Sequence, residues 1–174
     1  VPFGVDPTEY PDDPPPVGKG LVFFHLGSMD WLPNLEGVEW LLKSVWPKVM
    51  KKCPTARLDL AGNKMPKELL DLDMPGVRVK GWVKSAVNYM KKRHVMVVPL
   101  FSAGGMRVKI IEGMAMGKTV ISTPIGAEGI DHKPGKNFLL ASTASEFAEH
   151  LIKLHQDPDR ANAIGSEARK LVKS

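Results

Sequence analysis

The sequence predicts an α/β fold, a Rossmann-like, doubly wound parallel sheet with helices on both faces. Short apolar runs such as Leu21–Leu26 and Val95–Leu100 are typical of strands that are buried on both faces. Between them lie amphipathic segments such as residues 35–52, where apolar side chains recur at helical spacing. Because strands and helices alternate along the chain, we expect parallel strands joined by crossover helices, in the order 3-2-1-4-5-6.

The strands are expected at short apolar or β-branched runs that are bounded by glycine, proline or polar residues. In chain order they are Leu21–Leu26, Arg57–Ala61, Val77–Val79, Val95–Leu100, Val120–Ser122 and Asn137–Leu140. The helices are expected where apolar residues recur every three or four positions, and Pro33-Asn34 and Asp157-Pro158 are typical helix starts. They are residues 35–52, Pro66–Leu72, Lys84–Arg93, Arg107–Met116, Glu146–Leu154 and Arg160–Val172.

Residues 1–19 have the composition of a linker, because prolines recur throughout them together with glycine and aspartate. We therefore expect an interdomain linker over residues 1–19 and one domain over residues 20–174. Cys53 is the only cysteine, so no internal disulfide can form, which fits a reducing, cytoplasmic compartment. No apolar run reaches the roughly 18 residues that a bilayer span needs.

The net charge of +5 favours anionic partners, such as nucleotide phosphates or an acidic lipid surface. No nucleic-acid partner is expected, because the basic residues are scattered and no basic stripe is interleaved with aromatic side chains. The clusters Lys51-Lys52 and Lys91-Lys92-Arg93 fall at predicted helix ends, where we expect solvated side chains that complement the helix dipole. A membrane-facing edge is the alternative for these clusters, so peripheral contact with the inner face of the membrane stays open.

A glycine-rich loop over residues 101–106 joins the predicted strand Val95–Leu100 to the predicted helix Arg107–Met116. Unpaired backbone N–H groups at a helix start face an anion with the positive end of the helix dipole. Glu112, a turn and a half into the helix, could accept hydrogen bonds from sugar hydroxyls. In the expected strand order, this loop and the loop Gly27–Asn34 lie at the switch point where ligands bind. The sequence therefore indicates a site for a phosphate attached to a polyol, such as a nucleotide sugar.

Other kinds of site are not indicated. A dinucleotide-binding fingerprint is missing, because only Gly27-Ser28-Met29 follows the first strand and Gly62-Asn63 follows the second. The run Gly117-Lys118-Thr119 leads into a strand rather than a helix, so it cannot form a phosphate-binding P-loop, and its glycine is expected to cap the preceding helix. The histidines show no metal-ligand spacing, so we expect no metal and no further cofactor.

Several motifs spread over the chain resemble those of one enzyme family. They are Pro33-Asn34, Leu58–Gly62, Val79–Val83, Lys109–Gly117 and Thr123–Ile130. With these motifs, residues 24–173 resemble the C-terminal, donor-binding domain of a group 1 (family 4-like) retaining glycosyltransferase of the GT-B fold. The resemblance implies a nucleoside-diphosphate sugar as donor, transfer to an acceptor glycan or lipid with retention, and a role in polysaccharide biosynthesis. It also implies that the N-terminal, acceptor-binding domain is absent from the chain.

The resemblance further implies roles for particular positions. Arg107 and Lys109 are expected to stabilise the leaving β-phosphate and are the catalytic candidates. Glu112 is expected to hold the ribose hydroxyls of the donor. The other donor-binding positions are expected to form the floor of the phosphate site, to grip the nucleobase and to contact the diphosphate or the sugar. In that order they are Gly27 and Ser28, then Gly81, Trp82 and Val83, then Gly104, Gly105 and Met106.

The sequence departs from the family pattern at positions that bear on these roles. Gly104 stands where the family has a carboxylate that contacts the transferred sugar. Ser28 and Asn34 stand near the positions of its basic diphosphate ligands. Charge compensation is then expected from Arg107 and Lys109, because a phosphate without a cation in a dry cleft is poorly held.

Other interpretations stay open. Sugar-nucleotide epimerases and phosphorylases share the fold, and a non-catalytic nucleotide-sugar-binding or interaction module would fit Gly104. Glu112, Arg107 and Lys109 could instead be solvated surface residues. In the transferase interpretation, the chain alone should bind a nucleotide weakly and catalyse nothing, because a two-domain cleft needs both of its walls. The base, the sugar and the acceptor are left open.

Overall fold

Six parallel strands, all within the described residues, form one sheet in the predicted order β3-β2-β1-β4-β5-β6. The computed structural model describes Tyr10, residues 20–102 and residues 107–174, without the side chain of Arg107. The predicted linker over residues 1–19 therefore lies outside the described residues except for Tyr10. The strands are β1 Val22–Leu26, β2 Arg57–Ala61, β3 Val77–Val79, β4 Val95–Val98, β5 Thr119–Ser122 and β6 Leu139–Leu140.

The helices begin and end close to the predicted positions. They are α1 Leu32–Trp40, α2 Trp46–Lys52, α3 Lys67–Leu70, α4 Ala86–Lys91, α5 Arg107–Ala115, α6 Ala144–Gln156 and α7 Pro158–Lys173. The Thr143 hydroxyl caps the start of α6, because it accepts from the N–H of Glu146 and donates to the Glu146 carboxylate, both at 3.1 Å. α4 is shorter than the predicted Lys84–Arg93, and the Ser85 hydroxyl fixes its start by accepting from the N–H of Asn88 at 3.1 Å.

The helix predicted over residues 35–52 begins earlier, at Leu32, and contains a π-helical segment, Leu41–Val45, between α1 and α2. Pro47 explains this segment. Proline has no N–H to bond with the carbonyl of Lys43, four residues earlier, and its ring crowds that carbonyl, so the helix widens in the preceding turn. Leu41 and Val45 remain fully buried, so the whole segment still packs against the sheet.

Apolar side chains pack on both faces of the sheet, which explains why the strands are apolar runs rather than alternating patterns. Phe23 and Phe24 are neighbours on β1, both are fully buried, and they point into different halves of the core. Phe23 lies edge-on to Trp46 of α2, with ring centroids 6.4 Å apart, whereas Phe24 lies edge-on to Tyr89 of α4 at 6.2 Å. The predicted doubly wound architecture is confirmed.

A buried carboxylate corrects one prediction. We expect Arg93 to be a solvated helix cap, but its Nε donates to Oδ2 of Asp59 at 2.9 Å, and its guanidinium lies 3.6 Å from the centroid of the Tyr89 ring. Arg78 donates to both oxygens of the same carboxylate at 3.0 Å. Asp59 is 3% exposed, and a buried carboxylate needs such partners because desolvation penalises its charge.

The two lysines that end α2 are solvated, as predicted. Lys51 and Lys52 are exposed in the last turn, where their charges complement the helix dipole. Cys53 follows them and is buried, and burial raises the pKa of its thiol. A thiol of this kind is inert, so Cys53 is not a candidate nucleophile.

The turn after α5 also matches its prediction. Gly117 has φ +74° and ends the helix, as expected for a C-cap. Lys118 is buried, and its Nζ donates to the carbonyl of Arg93 at 2.5 Å. Burial lowers the pKa of Lys118 to about 8, because desolvation disfavours its charged form.

Candidate functional site

Three loops join at the C-terminal ends of β1, β2 and β3. The N–H of Gly27, after β1, donates to the carbonyl of Ala61 at 3.1 Å, and the N–H of Gly62, after β2, donates to the carbonyl of Gly81 at 3.1 Å. The N–H of Met29 donates to the carbonyl of Asn63 at 2.9 Å. These hydrogen bonds continue the pairing of the strands beyond the strand ends, so the three loops form one continuous surface. We call this surface, formed by the loops after β1, β2 and β3, the loop floor.

Gly62 allows the two central loops to approach this closely. Its φ is +147°, a conformation that other residues rarely adopt. A Cβ atom built on Gly62 would lie 1.8 Å from the carbonyl oxygen of Gly27, far inside van der Waals contact. Gly62 is part of a sequence motif singled out above but is absent from the predicted site residues. A glycine directly after a buried strand was the signal that could have identified it.

The floor borders an open cavity of ≈ 160 Å³. Its lining brings together predicted site residues from three separate parts of the sequence: Gly27 and Ser28, Trp82 and Val83, and Lys109. The other lining residues are Leu26, Gly62, Asn63 and Ala86. Pockets for small molecules are usually about 300–1,000 Å³, so this cavity is smaller than a typical ligand pocket.

The remaining predicted site residues lie in different places. Gly81 is not among the lining residues, although its carbonyl holds the floor through Gly62. Glu112 lies about one turn after Lys109 on α5, is half-buried and does not line the cavity. Gly104, Gly105 and Met106, together with the side chain of Arg107, lie outside the described residues. The backbone of α5 begins at Arg107, as predicted.

Exposed apolar side chains surround this edge of the sheet. Trp82 follows β3 and is 65% exposed, and Phe101 follows β4 and is 41% exposed. Leu32 begins α1 and Val108 lies in the first turn of α5, and both are exposed. Exposed apolar groups gathered at one edge are typical of a surface that another part of a protein covers.

The described residues contain neither a candidate metal site nor a candidate membrane span. They contain no group of three or more histidine, cysteine, aspartate or glutamate residues that could hold a metal ion. None of the helices in the described ranges is long and apolar enough to cross a membrane.

Comparison with known proteins identifies the family. The model for the family "Glycosyl transferases group 1" matches residues 20–157, which is most of the chain. The chain belongs to the group 1 glycosyl transferases. The sequence resemblance to this family is therefore confirmed, and so is the fold that it implies.

Solved group 1 and related structures share the fold at low sequence identity. The C-terminal domain of LpcC, a group 1 family protein of Francisella tularensis, gives a TM-score of 0.74 at 17% identity and covers 98% of this chain and 97% of that chain. A mutant of S. aureus TarM, solved with UDP, gives 0.77 at 18% identity and covers 97% of this chain and 34% of TarM. HepE of Anabaena, solved with UDP-glucose, gives 0.67 at 20% identity, covering 90% and 45%.

A curated relative in Klebsiella pneumoniae is described as an uncharacterized 44.6 kDa protein in the cps region. It is 25% identical over an alignment of 159 residues that covers 84% of this chain and 40% of the relative. This group 1 chain thus spans less than half the length of its curated relative.

Proposed function

We propose that this chain is the donor-binding domain of a larger glycosyltransferase and that it binds a nucleoside-diphosphate sugar at the cavity above the loop floor. The observation that carries the proposal is the convergence of a cation, Lys109, an exposed aromatic side chain, Trp82, and the loop Gly27–Ser28 on one cavity. The cavity lies where the strand order reverses, which is the usual ligand position in such sheets. HepE and the TarM mutant, which share this fold, were solved with UDP-glucose and with UDP.

The groups that line the cavity, and those predicted to lie beside it, have roles suited to their chemistry. Lys109 neutralises the diphosphate, and Arg107 adds a second cation at the start of α5, whose N-terminal dipole also favours an anion. As the bond to the sugar breaks, negative charge develops on the β-phosphate, and these fixed positive groups stabilise it. Trp82 and Val83 contact the nucleobase, and Glu112 accepts hydrogen bonds from the ribose hydroxyls. The proposed transfer retains the anomeric configuration.

A second domain completes the cleft. The cavity is open and smaller than a typical ligand pocket, and apolar side chains, Leu32, Phe101 and Val108, are exposed beside it. Coverage of only 40% of the curated relative supports a larger protein. The second domain would cover the apolar edge and bind the acceptor, so both walls are needed for transfer.

The donor site is tested by nucleotide binding to the 174-residue chain. We expect UDP, GDP or ADP to shift the NMR signals of residues 27–30, 81–83 and 107–112, with the strongest binder naming the base. Lys109→Gln should raise the dissociation constant on the order of tenfold, equivalent to the loss of about 1.4 kcal/mol, because a charge-assisted contact to phosphate is lost. Glu112→Gln should also weaken binding.

Lys48→Gln is the matched control, because Lys48 is exposed on α2 and does not line the cavity. It should leave the dissociation constant unchanged. Equal affinity in the Lys109→Gln and Lys48→Gln variants would remove Lys109 from the site. Absence of binding by every nucleotide would overturn the donor-site proposal.

A further inference from the structure

We propose that His25 and Asn34 are positioning residues, a buried polar pair that fixes the backbone of Gly27 and Ser28 at the donor cavity. This inference rests on the proposed donor site and extends it to residues that do not line the cavity. Both side chains are almost completely buried: His25 is 0% and Asn34 is 3% exposed. Neither belongs to the predicted site residues.

His25 occupies a position in β1 where the neighbouring residues, Phe24 and Leu26, are buried and apolar. Its Nδ1 lies 2.9 Å from the carbonyl oxygen of Val97 on β4. A carbonyl only accepts hydrogen bonds, so Nδ1 carries a proton. Burial lowers the pKa of His25 and thus favours the neutral ring, in which Nε2 is the accepting nitrogen. The imidazole thus joins β1 to β4 at the switch point, and the orientation of its ring is set.

The other edge of the ring and the side chain of Asn34 both lie beneath Gly27. A Cβ atom built on Gly27 would lie 3.1 Å from Nε2 of His25 and 2.8 Å from Nδ2 of Asn34. Three groups therefore meet at one point, and the open side of the Gly27 backbone rests on the two polar side chains. The direction from the Cα atom of Gly27 to this built Cβ atom points into the protein interior, since the side chains next to the built atom are buried.

Asn34 makes the bond that fixes the loop. Its Nδ2 donates to the carbonyl oxygen of Ser28 at 2.9 Å, while the N–H of Gly27 is held by Ala61 at 3.1 Å. The peptide groups on both sides of the Gly27–Ser28 pair are thereby fixed. Because Ser28 lines the cavity, the bond from Asn34 sets the position of a backbone that we expect to face the donor phosphates.

The same helix also contacts the second loop of the switch point. Gly37 is one turn after Asn34 on α1, and a Cβ atom built on it would lie 2.0 Å from the carbonyl oxygen of Pro99. α1 therefore packs directly on the backbone that leaves β4 toward α5. Asn34 and Gly37 together fix the loop after β1 relative to the segment after β4.

Stability alone does not account for these two residues. Nε2 of His25 and Oδ1 of Asn34 are buried and have no hydrogen-bond partner among the described residues. Unpartnered buried acceptors are costly, and an apolar pair would avoid that cost. The bonds that the two side chains do make, to Val97 and Ser28, both act on the edge of the sheet where the donor cavity lies.

The test compares nucleotide affinity with stability. Asn34→Leu removes the donor to Ser28 in a side chain of similar size, and we expect at least a tenfold rise in the nucleotide dissociation constant. The backbone NMR signals of residues 27–30 should move even without nucleotide. Thr119→Val is the matched control, because the buried Thr119 hydroxyl also donates to a backbone carbonyl, that of Ala161, but at the opposite edge of the sheet.

The control should lose unfolding free energy and keep its nucleotide affinity. If Asn34→Leu does not fold, Asn34→Ser removes the same amide donor without added bulk. We expect the same rise in the nucleotide dissociation constant for this variant. If the unaltered chain binds a nucleotide and substitution of Asn34 does not weaken that binding, the positioning role is overturned and the donor-site proposal is unaffected. No binding by the unaltered chain would overturn both.

Discussion

Lys118 carries an ionisable group into a buried position, and its effect on stability depends on pH in a definite direction. Its pKa is about 8 in the folded chain, against 10.5 for an ordinary lysine. Between these values the unfolded chain binds more protons, so the contribution of Lys118 to the free energy of unfolding rises with pH. Below pH 8 the penalty for burying this amine is fully present, and above about pH 10.5 it is gone.

We therefore expect the unfolding free energy of the unaltered chain, relative to Lys118→Met, to rise by up to about 3 kcal/mol between pH 7 and pH 10. Denaturant unfolding of both proteins between pH 7 and pH 10 measures the difference in unfolding free energy. The contributions of the other titrating groups cancel in this difference. Lys48→Met provides a control at an exposed lysine. If the difference in unfolding free energy between the two proteins stays constant or falls as the pH rises, the lowered pKa of Lys118 is contradicted.

At the scale of elements, the contact between the loops after β1 and β2 depends on Gly62. Alanine there would combine two effects, an unfavourable φ of +147° and a clash of 1.8 Å with the Gly27 carbonyl. Gly135 separates the two effects, because its φ is +83° but a Cβ built on it meets nothing within 4 Å.

Gly135→Ala should cost about 1–2 kcal/mol in unfolding free energy, the usual cost of a left-handed backbone. Gly62→Ala should cost more unfolding free energy. It should also weaken nucleotide binding, because the loops after β1 and β2 have to move apart to accommodate the added Cβ atom. Denaturant unfolding and nucleotide titration of the two variants make the comparison. Equal stability and equal affinity would show that the floor tolerates separation.

The helix between β1 and β2 shows how an element can be predicted in extent but not in detail. Apolar spacing locates its body, and the same residues, such as Val38 and Val49, are buried in the structure. The π segment Leu41–Val45 was not predicted. It depends on how the chain relieves the crowding caused by Pro47, and either a kink or a widened turn could do so.

For the whole molecule, the exposed apolar edge and the small cavity lead to a prediction about activity. We expect the chain alone to bind a nucleotide and to transfer no sugar, because one wall of a two-domain cleft orients the donor but brings no acceptor to it. Joining the chain to the N-terminal part of a larger parent protein should restore transfer. An assay with labelled nucleotide sugar decides this, and transfer by the chain alone would contradict the two-domain proposal.

The amino-acid sequence by itself determined the order of the strands, the helices that cover them and the family. The strands and helices depend on patterns within short segments, such as the buried run at β1 and the glycines that end the strands. The strand order follows from the usual topology of chains in which strands and helices alternate. The glycine loop was likewise chosen from a local pattern, whereas Arg107 and Lys109 were chosen from the family resemblance, and the roles of all three stay predictions.

Only the tertiary structure decided which distant side chains meet. Lys109 reaches the cavity of Ser28 and Trp82, Asn34 reaches back to Ser28, and Arg93 pairs with Asp59 rather than with solvent. The physical reason is that parallel strands bring together the ends of segments that lie far apart along the chain. Burial then decides which polar groups must find partners there, and no local pattern records that choice.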